Sequence, residues 1–261
     1  MIGAIVQARM NSTRLPGKVL LDINGRPMLS YMLERVASAK CVDRIVVATS
    51  NKPQDDAIYD FCKEEAVSCY RGSLEDVLDR YYHAATKFKC EIIVRLTADC
   101  PLIDPNIIDS LIDAYNSGCY DYVANTAPPD DTTYPDGMDV EVFSYKALKR
   151  AWEEAKKPSD REHVTFYFWK NTGLFSTFRK DLAKNWGEYR LTVDYPEDFE
   201  LVCSLIAHFY KNNPKFTMED VIAFLDANPD IRLINSHIDP NQGWKPAFEK
   251  DKMKGFTETV I

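Results

Sequence analysis

Short apolar segments alternate with amphipathic stretches through the first two thirds of the chain. The continuous apolar segments predict buried β-strands at residues 2–7, 44–48, 67–70 and 92–96. Apolar side chains at helical spacing predict helices at residues 28–38, 55–65, 75–87 and 105–115. This alternation indicates an α/β fold with a doubly wound, mostly parallel sheet and helices on both faces. Ligands of such sheets bind beyond the carboxyl ends of the strands.

The pattern changes at residue 127. A polar loop with two adjacent prolines is predicted at 127–135. Regular elements then resume, with strands predicted at 138–143 and 190–193 and helices at 146–156, 196–210 and 218–225. We therefore expect one domain over residues 1–237, with a small substrate or dimerisation lobe inserted at 127–190. Residues 238–261 are expected to form an extended C-terminal tail.

Composition narrows the class of protein. The 261 residues are 45% hydrophobic and 28% charged, as in an ordinary globular domain. No segment has the roughly eighteen consecutive apolar residues that predict a membrane span. The apolar N-terminus is short and is followed at once by basic residues, which indicates a buried strand in a cytoplasmic protein and not a signal peptide. The seven cysteines are scattered without a Cys-x-x-Cys pair, so reduced thiols are expected.

Positive charge is concentrated at one point of an acidic chain. The net charge of −8 argues against general nucleic-acid binding, which needs a basic face. Arg9, Arg14 and Lys18 nevertheless lie within ten residues that contain no acid, directly after the first predicted strand. Guanidinium and ammonium groups beside a strand end suit the phosphates of a small anionic ligand. The segment is not a Walker loop, because Val19 follows Lys18, and a solvated basic loop is the alternative.

Two carboxylates follow predicted strands. Asp99 comes after the strand at 92–96, and Asp194 comes after the strand at 190–193. Because both strand ends face the ligand side of the sheet, the two acids can meet at one metal ion, and Mg²⁺ prefers such oxygen ligands. The alternatives are a turn role for Asp99 and N-capping by Asp194, with Glu197 completing a capping box. Asp104 is the simpler candidate for capping the helix at 105–115.

The basic segment from Gln7 to Lys18, together with Asn24-Gly25-Arg26-Pro27-Met28, resembles the cytidylyltransferase family that activates sialic acid, ketodeoxyoctulosonate and related sugars. The most similar branch is that of spore-coat polysaccharide biosynthesis protein F. The resemblance implies a nucleotidyltransferase domain of the GT-A-like type, bound Mg²⁺ and a homodimer. It implies that Asp99 and Asp194 bind the metal. It also implies that the nucleotide is bound by Gln7, Ala8, Arg9, Arg14, Lys18, Arg71, Ser73, Arg95 and Thr97.

Two further segments lie in the middle of the chain. Residues 134–143 are rich in acids, and residues 160–165 are similar to the Arg-Glu-His-Val-Thr element of the same branch. The expected acceptor-binding residues are Asp136, Asp139, Glu141, Arg161, Glu162 and His163. Ser73 is as readily explained as the N-cap of the helix at 75–87, and His163 as an ordinary structural histidine.

The expected reaction joins CMP from CTP to a small acidic sugar and releases pyrophosphate, in the biosynthesis of a surface polysaccharide or glycan. The expected catalytic residues are Arg9, Lys18, Asp99 and Asp194. Two alternatives remain open at this point. One is a nucleotidyltransferase acting on a phosphorylated acceptor, and the other is a glycosyltransferase-like protein that binds a sugar nucleotide. The basic segment near the N-terminus favours a triphosphate ligand over both the second alternative and a catalytically silent protein.

Overall fold

A seven-stranded sheet forms the centre of the protein. The computed structural model describes residues 1–129, 132–238 and 245–256. The strands of the sheet run in the order β5-β4-β1-β6-β8-β7-β9. Neighbouring strands are parallel except at β8, which is antiparallel to both β6 and β7. The strand bounds are β1 Ile2–Gln7, β4 Arg44–Ser50, β5 Ser68–Gly72, β6 Ile92–Thr97, β7 Tyr122–Ala124, β8 Glu141–Ser144 and β9 Thr177–Arg179, and a separate small hairpin contains β2 Asp22–Ile23 and β3 Arg26–Pro27.

Helices cover both faces of this sheet. Along β1, Ala4 and Val6 belong to one apolar cluster and Ile5 to the other, because successive side chains of a strand point to opposite faces. The first cluster is built with α1, α2, α4, α8 and α9, and the second with α3, α5 and α7. The helix bounds are α1 Met28–Ala37, α2 Asp56–Glu64, α3 Val77–Phe88, α4 Pro105–Ser117, α5 Tyr145–Glu154, α6 Pro158–His163, α7 Phe166–Trp169, α8 Pro196–Phe209, α9 Met218–Ala227, α10 Pro229–Arg232 and α11 Lys245–Met253.

The predicted α/β class and the mostly parallel, doubly wound sheet are confirmed. Strands β8 and β9 come from the segment 127–190, so this segment adds two strands to the central sheet. None of the described helices has both the length and the apolar character needed to cross a bilayer.

Helix starts follow local polar side chains. Asp104 caps α4 as predicted, since its carboxylate accepts a hydrogen bond from the backbone N–H of Asn106 at 2.8 Å. Helix α3 is different: the cap is Asp76, which accepts from the N–H of Asp79 at 2.9 Å. Capping by Ser73 is therefore wrong. Its hydroxyl accepts from the N–H of Asp76 at 3.0 Å and stabilises the turn before the helix. A side-chain cap of this kind typically stabilises a helix by about 1 kcal/mol.

Two of the predicted elements take a different form in the structure. The predicted strand at 190–193 is reduced to an isolated β-bridge between Asp136 and Arg190. The reason is that successive backbone N–H groups on one side of this segment donate hydrogen bonds to two different chain segments. The N–H of Leu191 donates to the carbonyl of Asp136 at 2.7 Å, whereas that of Val193 donates to the carbonyl of Asp99 at 2.8 Å. The extended tail is also wrong where the structure describes it, since residues 245–253 form α11, which packs on α6. Residues 239–244 and 257–261 of the predicted tail lie outside the described residues.

Candidate active site

Lys18 joins the basic loop to both predicted metal-binding acids. Its side chain is only 9% exposed, and its Nζ donates to Asp99 Oδ2 at 2.8 Å and to Asp194 Oδ1 at 2.9 Å. A third hydrogen bond runs from Nζ to the backbone carbonyl of Val193 at 2.7 Å. An ammonium group has three N–H donors, so these partners use all of them. The three residues come from chain segments up to 176 positions apart and meet at one point.

The sheet explains why these segments converge. Strands β1 and β6 are parallel neighbours with Gln7 opposite Thr97, so the segments that follow them leave from the same edge of the sheet. The N–H of Ala98 donates to the carbonyl of Gln7 at 3.0 Å, which holds the start of the Asp99 turn against the basic loop. The bond from Val193 to the Asp99 carbonyl then brings in the segment that carries Asp194. The candidate site therefore lies at the carboxyl ends of two central strands, where ligands of such sheets bind.

Asp194 is not a helix cap. Its carboxylate faces cations, with Arg14 Nη2 at 2.5 Å and Arg190 Nη2 at 3.3 Å in addition to Lys18. The acid that binds backbone N–H groups at the N-terminus of α8 is Asp198 instead. Its carboxylate accepts hydrogen bonds from the backbone N–H groups of Asp194 at 2.9 Å and Tyr195 at 3.0 Å. The alternative in which Asp194 caps α8 with the help of Glu197 is therefore wrong.

The cations control the ionisation of both acids. Burial alone would raise the pKa of Asp194, but Lys18 and Arg14 hold that pKa well below its usual range. Burial also acts to raise the pKa of Asp99, and the charge of Lys18 outweighs it, so that this pKa is lowered too. Both carboxylates are consequently ionised at neutral pH and are neutralised by side chains of the protein itself.

Arg190 is a residue of this site that was not predicted from the sequence. Its guanidinium binds three carboxylates: Asp136 at 2.6 Å, Asp198 at 2.9 Å and Asp194 at 3.3 Å. The presence of Arg190, Asp194 and Asp198 in one short segment was the available signal. Burial, followed by the charge of Asp139, raises the pKa of Asp136 to about 7, against the opposing effect of Arg190.

Asp55 is a second residue that sequence analysis missed. It is buried and accepts a hydrogen bond from the backbone N–H of Met10 at 2.7 Å. It also binds the hydroxyl of Ser50, at the end of β4. Asp55 therefore anchors the start of the basic loop to the neighbouring strand. No local pattern distinguishes it from the other acids of this region.

A cleft of about 630 Å³ opens at the carboxyl end of β5, and both Arg71 and Ser73 line it. Arg71 donates to the carbonyls of Ser50 and Lys52, each at 3.0 Å, and forms an ion pair with Asp56 at 2.6 Å. These contacts fix the cleft wall. The predicted nucleotide-binding role of Arg71 and Ser73 stays a prediction.

The other predicted nucleotide-binding residues lie along β1 and β6. Arg95 forms an ion pair with Glu141, which directly opposes it on β8, and donates to Gln7 Oε1 at 3.3 Å. Thr97 contacts the Cys100 thiol at 3.2 Å. The N–H of Ala8 donates to the carbonyl of Ala48 at 3.1 Å, and the side chain of Arg9 is exposed.

Glu141, which was predicted to bind the acceptor, is bound within the sheet by its ion pair with Arg95. It also contacts the hydroxyl of Tyr122.

The predicted acceptor residues divide into two groups. Asp136 forms an ion pair with Arg190 and lies within electrostatic range of Asp99 and Asp194. Asp139 accepts a hydrogen bond from the backbone N–H of Gly137 at 2.9 Å, so these two acids lie close to the Lys18 site. The second group lies on α6. There the Arg161 guanidinium binds Asp76 at 2.6 Å and the carbonyl of Trp152 at 2.7 Å, which attaches α6 to the start of α3.

Glu162 and His163 complete the second group. Glu162 pairs with Lys250 of α11 at 2.8 Å, and the His163 ring stacks on Phe166 with centroids 4.4 Å apart. Burial lowers the pKa of His163 to about 4, so the ring is neutral at neutral pH. These contacts agree with a structural role for the ring, and a role of either group in acceptor binding stays a prediction.

The donor set at the Lys18 site fits a magnesium ion. Two ionised carboxylates that converge on one cationic group are the protein ligands that Mg²⁺ commonly uses, with phosphate oxygens and water completing its shell. In the part of the chain that the structure describes, no three His, Cys, Asp or Glu side chains form a metal-binding group. A metal here would therefore depend on oxygen atoms of a ligand as well as on the protein.

Comparisons with known proteins identify the family of this chain. The profile described as cytidylyltransferase matches residues 3–224. An uncharacterised protein of Methanocaldococcus jannaschii is 39% identical over 237 residues, covering 90% of this chain and 94% of that protein. Spore coat polysaccharide biosynthesis protein SpsF of Bacillus subtilis is 33% identical, covering 87% of this chain and 94% of that protein. The solved structure of a cytidylyltransferase from Leptospira borgpetersenii is 37% identical with a TM-score of 0.82, covering 88% of this chain and 96% of that one. The chain therefore belongs to the cytidylyltransferase family of nucleotidyltransferase enzymes.

Proposed function

We propose that the protein transfers CMP from CTP to a hydroxyl group of a small acidic sugar and releases pyrophosphate. The observation that carries this proposal is the position of Lys18, within 3 Å of both Asp99 and Asp194. A phosphate-binding cation and two metal-binding acids therefore share one site at the end of the central strands. Transfer of a nucleotidyl group needs both, because the triphosphate and the leaving pyrophosphate carry several negative charges.

In the proposed reaction the acceptor oxygen attacks the α-phosphorus of CTP. The new bond joins that oxygen to phosphorus, the bond from the α-phosphorus to the bridging oxygen breaks, and the acceptor hydroxyl releases its proton to solvent water. Arg9, Arg14 and Lys18 would bind the phosphates and neutralise the leaving pyrophosphate. Asp99 and Asp194 would hold Mg²⁺, which supplies further charge neutralisation when bound.

The cleft beside Arg71 and Ser73 is the proposed place of the cytidine. It opens at the end of β5, on the same edge of the sheet as the Lys18 site, so a nucleoside and its phosphates can reach both. Gln7 and Ala8 at the end of β1, with Arg95 and Thr97 on the adjoining strand β6, complete the proposed nucleotide site.

The acceptor is proposed to bind on the other side of the metal-binding acids. Asp136 and Asp139 would bind its hydroxyl groups, and Arg190 would hold Asp136 in place. Glu141, Arg161, Glu162 and His163 would act mainly by fixing the walls of the site. A role in surface polysaccharide or glycan biosynthesis, a homodimer and a cytoplasmic location complete the proposal.

Pyrophosphate release tests this reaction. The protein is incubated with MgCl₂, with CTP, ATP, GTP or UTP in turn, and with a panel of acidic sugars and phosphorylated acids. We expect release with CTP and an acidic sugar, and a loss of at least about 100-fold in Asp99→Asn. The matched control is Asp60→Asn, which changes an exposed acid of α2 that pairs with Lys63 and should retain full activity. Release with a phosphorylated acid alone, or equal rates in Asp99→Asn, would contradict the proposal.

A further inference from the structure

All three N–H donors of Lys18 are used by the protein itself. Two of them hold Asp99 and Asp194, and the third holds the backbone carbonyl of Val193. The cation that the proposed reaction needs at the triphosphate is therefore bound to the two carboxylates that it needs at the metal. In this arrangement the ammonium group occupies the space between the two acids.

We infer that Lys18 competes with the divalent metal for this acid pair, and that the phosphates of the nucleotide draw Lys18 away so that the metal can bind. This inference rests on the proposed function. Its consequence is that the nucleotide-free protein binds the metal weakly and that metal and nucleotide bind together. Lys18 thereby acts as a built-in counter-ion, which keeps the acids in place until the substrate arrives.

Charge and geometry both support this competition. The ammonium lies 2.8 Å and 2.9 Å from the oxygens that a metal would use, so a divalent ion entering there would be repelled by a positive charge at contact distance. Arg14, at 2.5 Å from Asp194, adds a second positive charge. The two cations together neutralise the two acids, which leaves little net attraction for a metal ion.

The backbone at both acids and the carboxylate of Asp194 keep other partners when Lys18 leaves. Asp194 keeps its bond to Arg190, and its backbone N–H remains bound to Asp198. The backbone carbonyl of Asp99 remains bound to the N–H of Val193. A lysine side chain is a mobile point charge on four methylene groups, so its head can turn towards phosphate oxygens while the loop backbone stays in place.

The test measures binding of Mn²⁺ to the nucleotide-free protein by electron paramagnetic resonance. We expect Lys18→Met to bind Mn²⁺ at least tenfold more tightly than the unsubstituted protein. The control Lys63→Met removes an exposed lysine paired with Asp60 and should leave Mn²⁺ binding unchanged. The double variant Lys18→Met with Asp194→Asn should lose the gain, which shows that the new affinity belongs to the acid pair.

Unchanged or weaker binding of Mn²⁺ in Lys18→Met with a native-like melting temperature would overturn the inference. If that variant does not fold, Lys18→Gln provides the same measurement with a polar side chain, and the same outcomes apply. A gain of metal affinity that comes with a native-like melting temperature and is lost in the double variant separates this role from a merely structural one. Because no acceptor or turnover is involved, failure of this test is distinct from failure of pyrophosphate release.

Discussion

Arg190 and Asp198 form an ion pair with two hydrogen bonds, from Nε to Oδ1 at 2.9 Å and from Nη2 to Oδ2 at 3.0 Å. Asp198 is fully buried and also accepts a hydrogen bond from Asn235 at 2.8 Å. The same carboxylate binds the backbone N–H of Asp194. The position of Asp194, a proposed metal-binding acid, therefore depends on a partly buried arginine that sequence analysis did not identify.

Arg190→Met should destabilise the protein by about 3–5 kcal/mol, because it leaves the buried carboxylate of Asp198 without its cation. Pyrophosphate release should also fall, since Asp194 loses a partner that orients it. Urea denaturation measures the first effect and initial rates the second. Arg232→Met is the matched control: Arg232 also pairs with two acids, Glu188 and Asp226, but it is 36% exposed, and the cost should be below about 1 kcal/mol. Equal losses in the two variants would refute this assignment.

Gly137 places the loop of Asp136 and Asp139 against the backbone at Leu191. Its φ is +101°, and a Cβ atom there would lie 2.5 Å from the carbonyl carbon of Leu191. Gly137→Ala should therefore combine about 1–2 kcal/mol of backbone strain with a further cost for moving the loop, and should lower turnover at least tenfold.

The control for this substitution is Gly25→Ala. Gly25 has a φ of +83°, but a Cβ atom there meets nothing within 4 Å. It should cost only the strain of about 1–2 kcal/mol and leave turnover unchanged. Thermal melting and initial rates check both variants. Normal turnover in Gly137→Ala would show that the close approach of the two segments is not needed.

His163 should make stability fall as the pH is lowered from 7 to 4. Burial, with Arg95, Lys170 and Lys250 nearby, lowers its pKa to about 4, although Glu162 acts in the opposite direction. The usual histidine pKa is about 6.5, so between these values the unfolded chain binds more protons than the folded one, and acid favours unfolding. The contribution is at most roughly 3 kcal/mol, reduced by the partial exposure of the ring.

His163→Gln should flatten this part of the pH profile. Urea denaturation at pH 4.5, 5.5 and 7 compares it with the unsubstituted protein and with His83→Gln, which replaces the 44% exposed histidine of α3. The slope should persist in the His83 variant. An unchanged slope in His163→Gln would assign the acid sensitivity to other groups.

Asp251 should couple the C-terminal helix to α6. Its carboxylate accepts from the backbone N–H of Ser159 at 2.9 Å and from the Ser159 hydroxyl at 2.6 Å, and all these groups are buried. Asp251→Ala should cost about 1–3 kcal/mol, because the polar groups of Ser159 lose their partner. Met253→Ala, at an 85% exposed position of the same helix, should cost almost nothing. Thermal melting distinguishes the two, and equal melting temperatures would mean that this helix contributes no stability.

The sequence by itself determined the alternation of strands and helices, the α/β class and the residues that lie at strand ends. These depend on short-range periodicity and on caps such as Asp104, whose partner is two residues away. The resemblance of the segments at Gln7–Lys18 and Asn24–Met28 was also enough for the family. The exact ends of the strands could not be predicted, because they depend on which neighbouring segment supplies hydrogen bonds. The isolated β-bridge at Arg190 is an example.

Only the tertiary structure decided which of these residues meet. Lys18 contacts carboxylates that are 81 and 176 positions away, and Arg190 contacts Asp136, which is 54 positions away. No local pattern encodes such contacts, because burial and the crossing of loops select one partner from many acids of the same type. In the folded protein Arg161 pairs with Asp76 and Glu141 pairs with Arg95. From the sequence alone these side chains could not be distinguished from side chains that bind a ligand. The chemistry of the candidate site therefore follows from residue types near strand ends, whereas its charge balance follows from packing between distant segments.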